Sequence, residues 1–130
     1  MSDIIPQECR VGIAIVEDEK GLVNVYERIF KKNDISICFV AFDGREAIKK
    51  YMECTPKPHV IIMDYRLPIV NGVEAAKEIL KFDHDARVIF LSADISVKEE
   101  ALRSGAKAFL KKPVDMKEMI DTIKAQLDKS

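Results

Sequence analysis

Residues 60–64 read Val60-Ile61-Ile62-Met63-Asp64, four apolar residues closed by a carboxylate. A run this short and this rich in β-branched side chains suits a strand buried on both faces, as in parallel sheets. Runs of the same character occupy 10–16, 35–42, 88–91 and 106–110. Glu17-Asp18 follows the first of these, Ser92 follows 88–91, and Lys112 stands just beyond 106–110. Strands of a parallel sheet point the same way, so residues at their carboxyl ends converge on one edge. Three acids, a hydroxyl and an ammonium are therefore expected in one pocket. Core packing gives no reason for such a gathering, because it favours apolar residues and penalises buried charge.

Between the runs the hydrophobic period changes from 2 to 3.6 residues. Leu22, Val25, Tyr26, Ile29 and Phe30 fall at i, i+3, i+4, i+7 and i+8, and Met116, Met119, Ile120, Ile123 and Leu127 repeat a helical stripe near the C-terminus. Ala47, Ile48 and Tyr51 mark a shorter helix opening near Asp43-Gly44, and Val73, Ala76 and Leu80 another after Asn71-Gly72. The weakest helix is 97–104, with few large apolar anchors and Ser104-Gly105 as its stop. Pro56, Pro58, Pro68 and Pro113 all fall in expected loops, where a missing N–H costs little. Five strands alternating with five helices predict a doubly wound α/β domain, with helices on both faces of a five-stranded parallel sheet in the order 2-1-3-4-5.

At 130 residues the chain fits one domain. A formal net charge of −1 with both signs interspersed offers no field for nucleic acid or an anionic membrane. No apolar stretch approaches the ~20 residues that span a bilayer, and residues 1–9 lack the features of a signal peptide. The reading is a cytoplasmic protein. Cys9, Cys38 and Cys54 are odd in number and show no C-x-x-C spacing, which suits incidental or buried thiols better than a disulfide framework or a zinc site.

Four segments carry a resemblance. Ile15-Val16-Glu17-Asp18-Glu19, Ile62-Met63-Asp64-Tyr65-Arg66-Leu67-Pro68 with Gly72 eight residues after the Asp, Leu91-Ser92-Ala93, and Phe109-Leu110-Lys111-Lys112-Pro113 resemble the signature of the receiver domain of two-component response regulators. Each motif alone is weak, but four in order, each closing an expected strand, are specific. The resemblance implies a flavodoxin-like receiver domain over 10–127, with tails at 1–9 and 128–130. The strand order is in part inherited from it, since the chemotaxis regulator of this family is a known example of 2-1-3-4-5.

The chemistry assigns Asp64 as the nucleophile that accepts a phosphoryl group, provided the incoming charge is neutralised. Alone, Asp64 would read as a cap of the turn that follows its strand. Glu17 and Asp18 beside it would repel it unless a cation intervened, and Mg²⁺ suits an all-oxygen site that keeps positions for water and phosphate. The resemblance implies ligation by Asp18, Asp64 and the backbone carbonyl of Arg66, with Glu17 acting directly or through water. Glu19 reads as a helix-start acid. Lys112, directly before Pro113, is the expected phosphate-contacting cation, and Lys111 a solvated charge. Ser92 would donate its hydroxyl to the phosphoryl group. The resemblance implies a switch in which Phe109 rotates inward as Ser92 moves.

Arg66 and Asp94, each two residues beyond a site residue, are expected to face each other over the pocket and gate hydrolysis, although both also read as unpaired surface charges. His59 and His84 read as structural. Lys98, Arg103, Lys107, Lys111 and Lys117 gather near the fourth and fifth helices, a face that receivers often use for partners. Paired acids before Phe109, common in receivers that dimerise there, are missing, so a monomer is expected. The donor would be a sensor histidine kinase or a histidine phosphotransfer protein, and the output an unnamed protein effector. The chain is read as a stand-alone phosphoacceptor with self-catalysed transfer and autodephosphorylation rather than a turnover enzyme. The rivals are a pseudo-receiver that never takes phosphate and a phosphatase of the haloacid dehalogenase class, whose second Asp is replaced here by Arg66.

Overall fold

The computed structural model describes residues 12–127; the expected tails, with Cys9, Arg10 and Val11, lie outside the described residues. Five strands alternate with helices: β1 Gly12–Val16, α1 Lys20–Lys32, β2 Ser36–Ala41, α2 Gly44–Glu53, β3 Val60–Asp64, α3 Gly72–Phe82, β4 Val88–Ser92, α4 Lys98–Arg103, β5 Ala108–Lys111 and α5 Met116–Leu127. The sheet is parallel throughout, in the order β2-β1-β3-β4-β5. This is the expected doubly wound flavodoxin-like architecture.

The strand alternation sorts side chains into two cores, one on each face. Ala14, Val16, Ile61, Met63, Val88 and Phe90 pack with Ala47 and Tyr51 of α2, Ala76 and Ile79 of α3 and Ala101 of α4. Ile13, Ile15, Val60, Ile62, Ile89 and Leu91 pack with Val23, Tyr26 and Phe30 of α1 and Met119, Ile120 and Ile123 of α5. Each such large side chain contributes about 1.5–3 kcal/mol on leaving water. The three inner strands are buried at every position. The edge strands differ from the expectation of burial on both faces: β2 and β5 are mostly half-buried, because each has a neighbour on one side only.

Side chains fix helix starts. Asp43 Oδ1 accepts the Glu46 N–H at 2.7 Å while Glu46 Oε1 accepts the Phe42 N–H at 2.6 Å, and Asn71 Oδ1 accepts the Val73 N–H at 2.9 Å. The Asp64-to-Gly72 spacing has a steric cause. A Cβ on Gly72 would stand 2.6 Å from the Asp64 carbonyl oxygen and 2.8 Å from that of Tyr65, so only glycine lets α3 begin against the end of β3. The fourth helix is shorter than the expected 97–104. A 3₁₀ turn at Ile95–Val97 leads into it, because Asp94 Oδ1 accepts both the Ser96 N–H at 3.0 Å and the Ser96 hydroxyl at 2.6 Å, which tightens the entry.

Candidate functional site

The ladder of the sheet runs on past the strand ends and places the polar residues. The Glu17 N–H donates to the Ala41 carbonyl at 3.0 Å, the Tyr65 N–H to Leu91 at 2.8 Å, and the Lys112 N–H to Ser92 at 2.9 Å. These bonds turn the Glu17 side chain inward, where it is 2% exposed, and hold Asp64 at 8% and Ser92 at 3%. Lys112 reaches over the same edge. Its Nζ stands 2.9 Å from Glu17 Oε1 and 3.3 Å from Asp64 Oδ1, whereas Lys111 is exposed. Glu17 Oε2 accepts the Glu19 N–H at 3.1 Å, so both of its oxygens have partners. Asp18 is exposed, and each carboxylate of Glu17, Asp18 and Asp64 has an oxygen within 4.8 Å of the others.

Burial is the main reason that the Asp64 carboxyl is held above its usual range, with the Asp18 charge adding to it and Lys112 opposing. Glu17 is raised for the same first reason, with the Asp64 charge outweighed by the hydrogen bond from Lys112. Burial alone would lower the Lys112 ammonium, but its hydrogen bond to Glu17 and the charge of Asp64 prevail and hold it raised. The site thus gathers negative charge in a dry place with one cation to share. All three acidic side chains supply hard oxygen donors, and this chemistry fits Mg²⁺.

Asp64, Arg66, Ser92, Ala93, Asp94 and Lys112 line an open cavity of about 340 Å³ above the sheet edge. At its rim Arg66 Nη2 lies 3.1 Å from Asp94 Oδ2, an ion pair in which the Arg66 side chain is 71% exposed. The Asp94 carboxyl is held below its usual range, first by Ser96 and then by Arg66. Ser92 Oγ accepts the Asp94 N–H at 3.1 Å, which ties the hydroxyl to the loop leading into α4. Phe109 is half-buried against the first core. His59 has a structural part: its Nδ1 accepts the Gly12 N–H at 3.1 Å at the opposite end of the sheet. His84 is exposed, as are Lys98, Arg103, Lys107 and Lys117. Two of these basic residues are paired, Arg103 with Glu99 at 2.7 Å and Lys117 with Asp121 at 2.9 Å.

Sequence reasoning missed one connection. The hydroxyl of Tyr65, the residue after Asp64, donates to Glu100 Oε1 in α4, and the Tyr65 ring packs edge-on against Phe90 at 5.6 Å. No motif marks this link, because Glu100 lies 35 residues away on an otherwise solvated helix face.

The fold and this cluster define a class, a doubly wound α/β domain with an acidic site at the carboxyl edge of its sheet. The sequence profile of the response regulator receiver domain matches residues 13–124. The chain belongs to that family, and within it is a CheY-like receiver. A chemotaxis protein CheY of Thermotoga maritima is 34% identical over 113 residues, covering 85% of this chain and 92% of that protein. Among solved structures, the CheX–CheY–BeF₃–Mg²⁺ complex from Borrelia burgdorferi matches with a TM-score of 0.83 at 30% identity, covering 88% of this chain and 87% of that one. The complex of the Saccharomyces cerevisiae histidine phosphotransfer protein Ypd1 with the receiver domain of Ssk1 matches with a TM-score of 0.80 at 29% identity, covering 88% and 86%. No helix among the described residues is long and apolar enough to cross a membrane.

A cation that binds the acidic cluster of the native state stabilises it by linkage, about 2.7 kcal/mol at a concentration a hundredfold above Kd. Thermal unfolding is expected to shift upward with Mg²⁺ in the parent and to lose most of that shift in Asp18→Ala. An undiminished shift in the variant removes Asp18 from the ligand set.

Proposed function

We propose that this receiver accepts a phosphoryl group on Asp64 from a phosphohistidine of a sensor histidine kinase or a histidine phosphotransfer protein. The observation that carries the reading is Lys112 Nζ at 3.3 Å from Asp64 Oδ1, beside Asp18 and in one cavity with Ser92. An Asp64 oxygen attacks phosphorus, the N–P bond breaks, and the imidazole leaves with the bonding pair. Glu17, Asp18, Asp64 and the Arg66 backbone carbonyl would hold Mg²⁺. The bound ion supplies charge neutralisation for the phosphoryl oxygens. Lys112 holds Asp64 ionised before transfer and pairs with a phosphoryl oxygen afterwards. Ser92 donates its hydroxyl to another.

The relatives support the partner class. The Borrelia structure names CheY with CheX, BeF₃ and Mg²⁺, and the yeast structure names a receiver with a histidine phosphotransfer protein. Output follows from coupling the pocket to a bistable element. Withdrawal of Ser92 toward the phosphoryl group releases the Asp94 N–H and lets Phe109 turn inward, altering the face of α4 and β5 toward a protein effector. The chain acts as a cytoplasmic monomer whose only catalysis is on itself, transfer and autodephosphorylation.

The Arg66–Asp94 pair gates hydrolysis by covering the line of approach of water to phosphorus. An exposed pair is worth only about 0–1 kcal/mol, so its loss is expected to speed decay of the phosphorylated state by up to about fivefold.

Incubation with acetyl phosphate and Mg²⁺ is expected to add one phosphoryl mass per chain, and Asp64→Asn to abolish it while retaining the circular dichroism of the parent. Release of inorganic phosphate at steady turnover without an adduct would mark a phosphatase, and neither adduct nor turnover a pseudo-receiver. For the gate, Arg66→Ala, Asp94→Ala and the double variant are expected to lose phosphate at one common, faster rate in saturating Mg²⁺. Decay no faster than the parent, or single effects that simply add, removes the gate.

A further inference from the structure

Tyr65 follows Asp64 directly, and its backbone is held from two sides. Its N–H donates to the Leu91 carbonyl at 2.8 Å, and its carbonyl accepts the Gly72 N–H at 3.0 Å. The side chain is buried, with its ring edge-on to Phe90 at 68° between the planes. Backbone and ring are thus pinned to β4 and to the start of α3, and the hydroxyl reaches on to Glu100 Oε1 of α4. A phenol keeps its proton at neutral pH, so the tyrosine donates and the carboxylate accepts.

The helix at the other end of this bond is weakly held. Of α4 only Ala101 is buried, its start carries no side-chain cap, and Glu100 itself is exposed. Among the described residues, the other side-chain hydrogen bonds of α4 stay within it and its C-cap: Arg103 donates to Glu99 at 2.7 Å, and Ser104 Oγ to the Ala101 carbonyl at 2.7 Å. The bond from Tyr65 is therefore the side-chain polar tie between α4 and the sheet. An exposed carboxylate has water as its alternative partner, so the tie is not needed to satisfy Glu100. The entry to α4 answers to a different residue. Ser92 Oγ accepts the Asp94 N–H at 3.1 Å, and Asp94 Oδ1 accepts the Ser96 N–H at 3.0 Å. A pull on Ser92 displaces that entry, whereas Tyr65, pinned to β4 and α3, does not follow.

We infer that the Tyr65 hydroxyl is a latch that holds α4 in its resting position and opens when Asp64 carries phosphate. The inference rests on the proposed phosphate acceptance at Asp64. Withdrawal of Ser92 frees the Asp94 N–H, the entry to α4 shifts, and Glu100 exchanges the hydroxyl for water. A bond made in the resting arrangement alone biases the equilibrium toward rest. By linkage it weakens the hold of the site on a phosphoryl group to the same degree, roughly three- to tenfold for one net hydrogen bond. Tyr65 is thus a positioning residue, which acts through α4 and touches no phosphoryl oxygen.

The test titrates the full chain with beryllofluoride, a phosphoryl mimic, in saturating Mg²⁺, and measures hydrogen exchange of the amides of 98–103 in the metal-free protein. Tyr65→Phe keeps the ring against Phe90 and deletes the hydroxyl alone. It is expected to bind beryllofluoride roughly three- to tenfold more tightly than the parent and to exchange faster along α4. Glu100→Ala is expected to do the same, and the double variant to go no further. A tyrosine with a structural part alone would lower Tm on substitution and leave the affinity equal or weaker. Variants that bind no more tightly than the parent, single effects that add, or α4 amides that exchange at the parental rate would each overturn the latch. A parent that binds no beryllofluoride would defeat phosphate acceptance and the latch with it, whereas a binding parent matched by its variants defeats the latch alone.

Discussion

One ammonium makes the site possible. Glu17 is 2% exposed and Asp64 8%, and two carboxylates this dry are tolerated only when a cation shares their charge at hydrogen-bond distance. Lys112 does this from the far edge of the sheet, at 2.9 and 3.3 Å. Its placement depends on the ladder between β4 and β5 continuing one residue beyond Lys111. The parallel strand pairing, the buried inner strands and the glycine at the start of α3 all serve the alignment of those strand ends.

The same arrangement leaves the site poised. Lys112 satisfies Glu17 and Asp64, yet Asp18 stands at the solvent side with its charge uncompensated by any ion pair among the described residues. A divalent ion bound there would relieve that excess and offer positive charge to an incoming phosphoryl group. Two threads lead from this pocket toward α4. One runs from Ser92 through the Asp94 N–H to the Ser96 cap, the other from Tyr65 to Glu100. The first ends in the 3₁₀ turn that leads into α4 and the second on α4 itself, the short helix that has only Ala101 fully buried and is therefore the least anchored of that layer.

Much of this was legible in the sequence because strand ends are fixed by hydrophobic runs and a parallel sheet has only one carboxyl edge. Glu17, Asp18, Asp64, Ser92 and Lys112 could be grouped from that reasoning alone. Other features leave no local signal. The register shift of β2 against β1 between Ile13 and Ala14 is one of them, since hydrophobic periodicity does not report pairing. Likewise, nothing in Leu67-Pro68-Ile69-Val70 announces that Ile69 takes a φ of 68°. A β-branched residue there costs about 1–2 kcal/mol, and glycine or asparagine would have marked the turn. The 3₁₀ entry to α4 was missed because it is made by the side chain of Asp94, a residue read only for its charge toward Arg66.

The proposed function requires the phosphoryl group to form an acyl linkage at the end of β3. Borohydride reduces an aspartyl phosphate to homoserine and leaves phosphoesters of hydroxyl groups untouched. Reduction of the phosphorylated protein, followed by peptide sequencing, is predicted to place homoserine at position 64 alone. Homoserine at position 18, or phosphate that survives reduction on Ser92, would contradict the account.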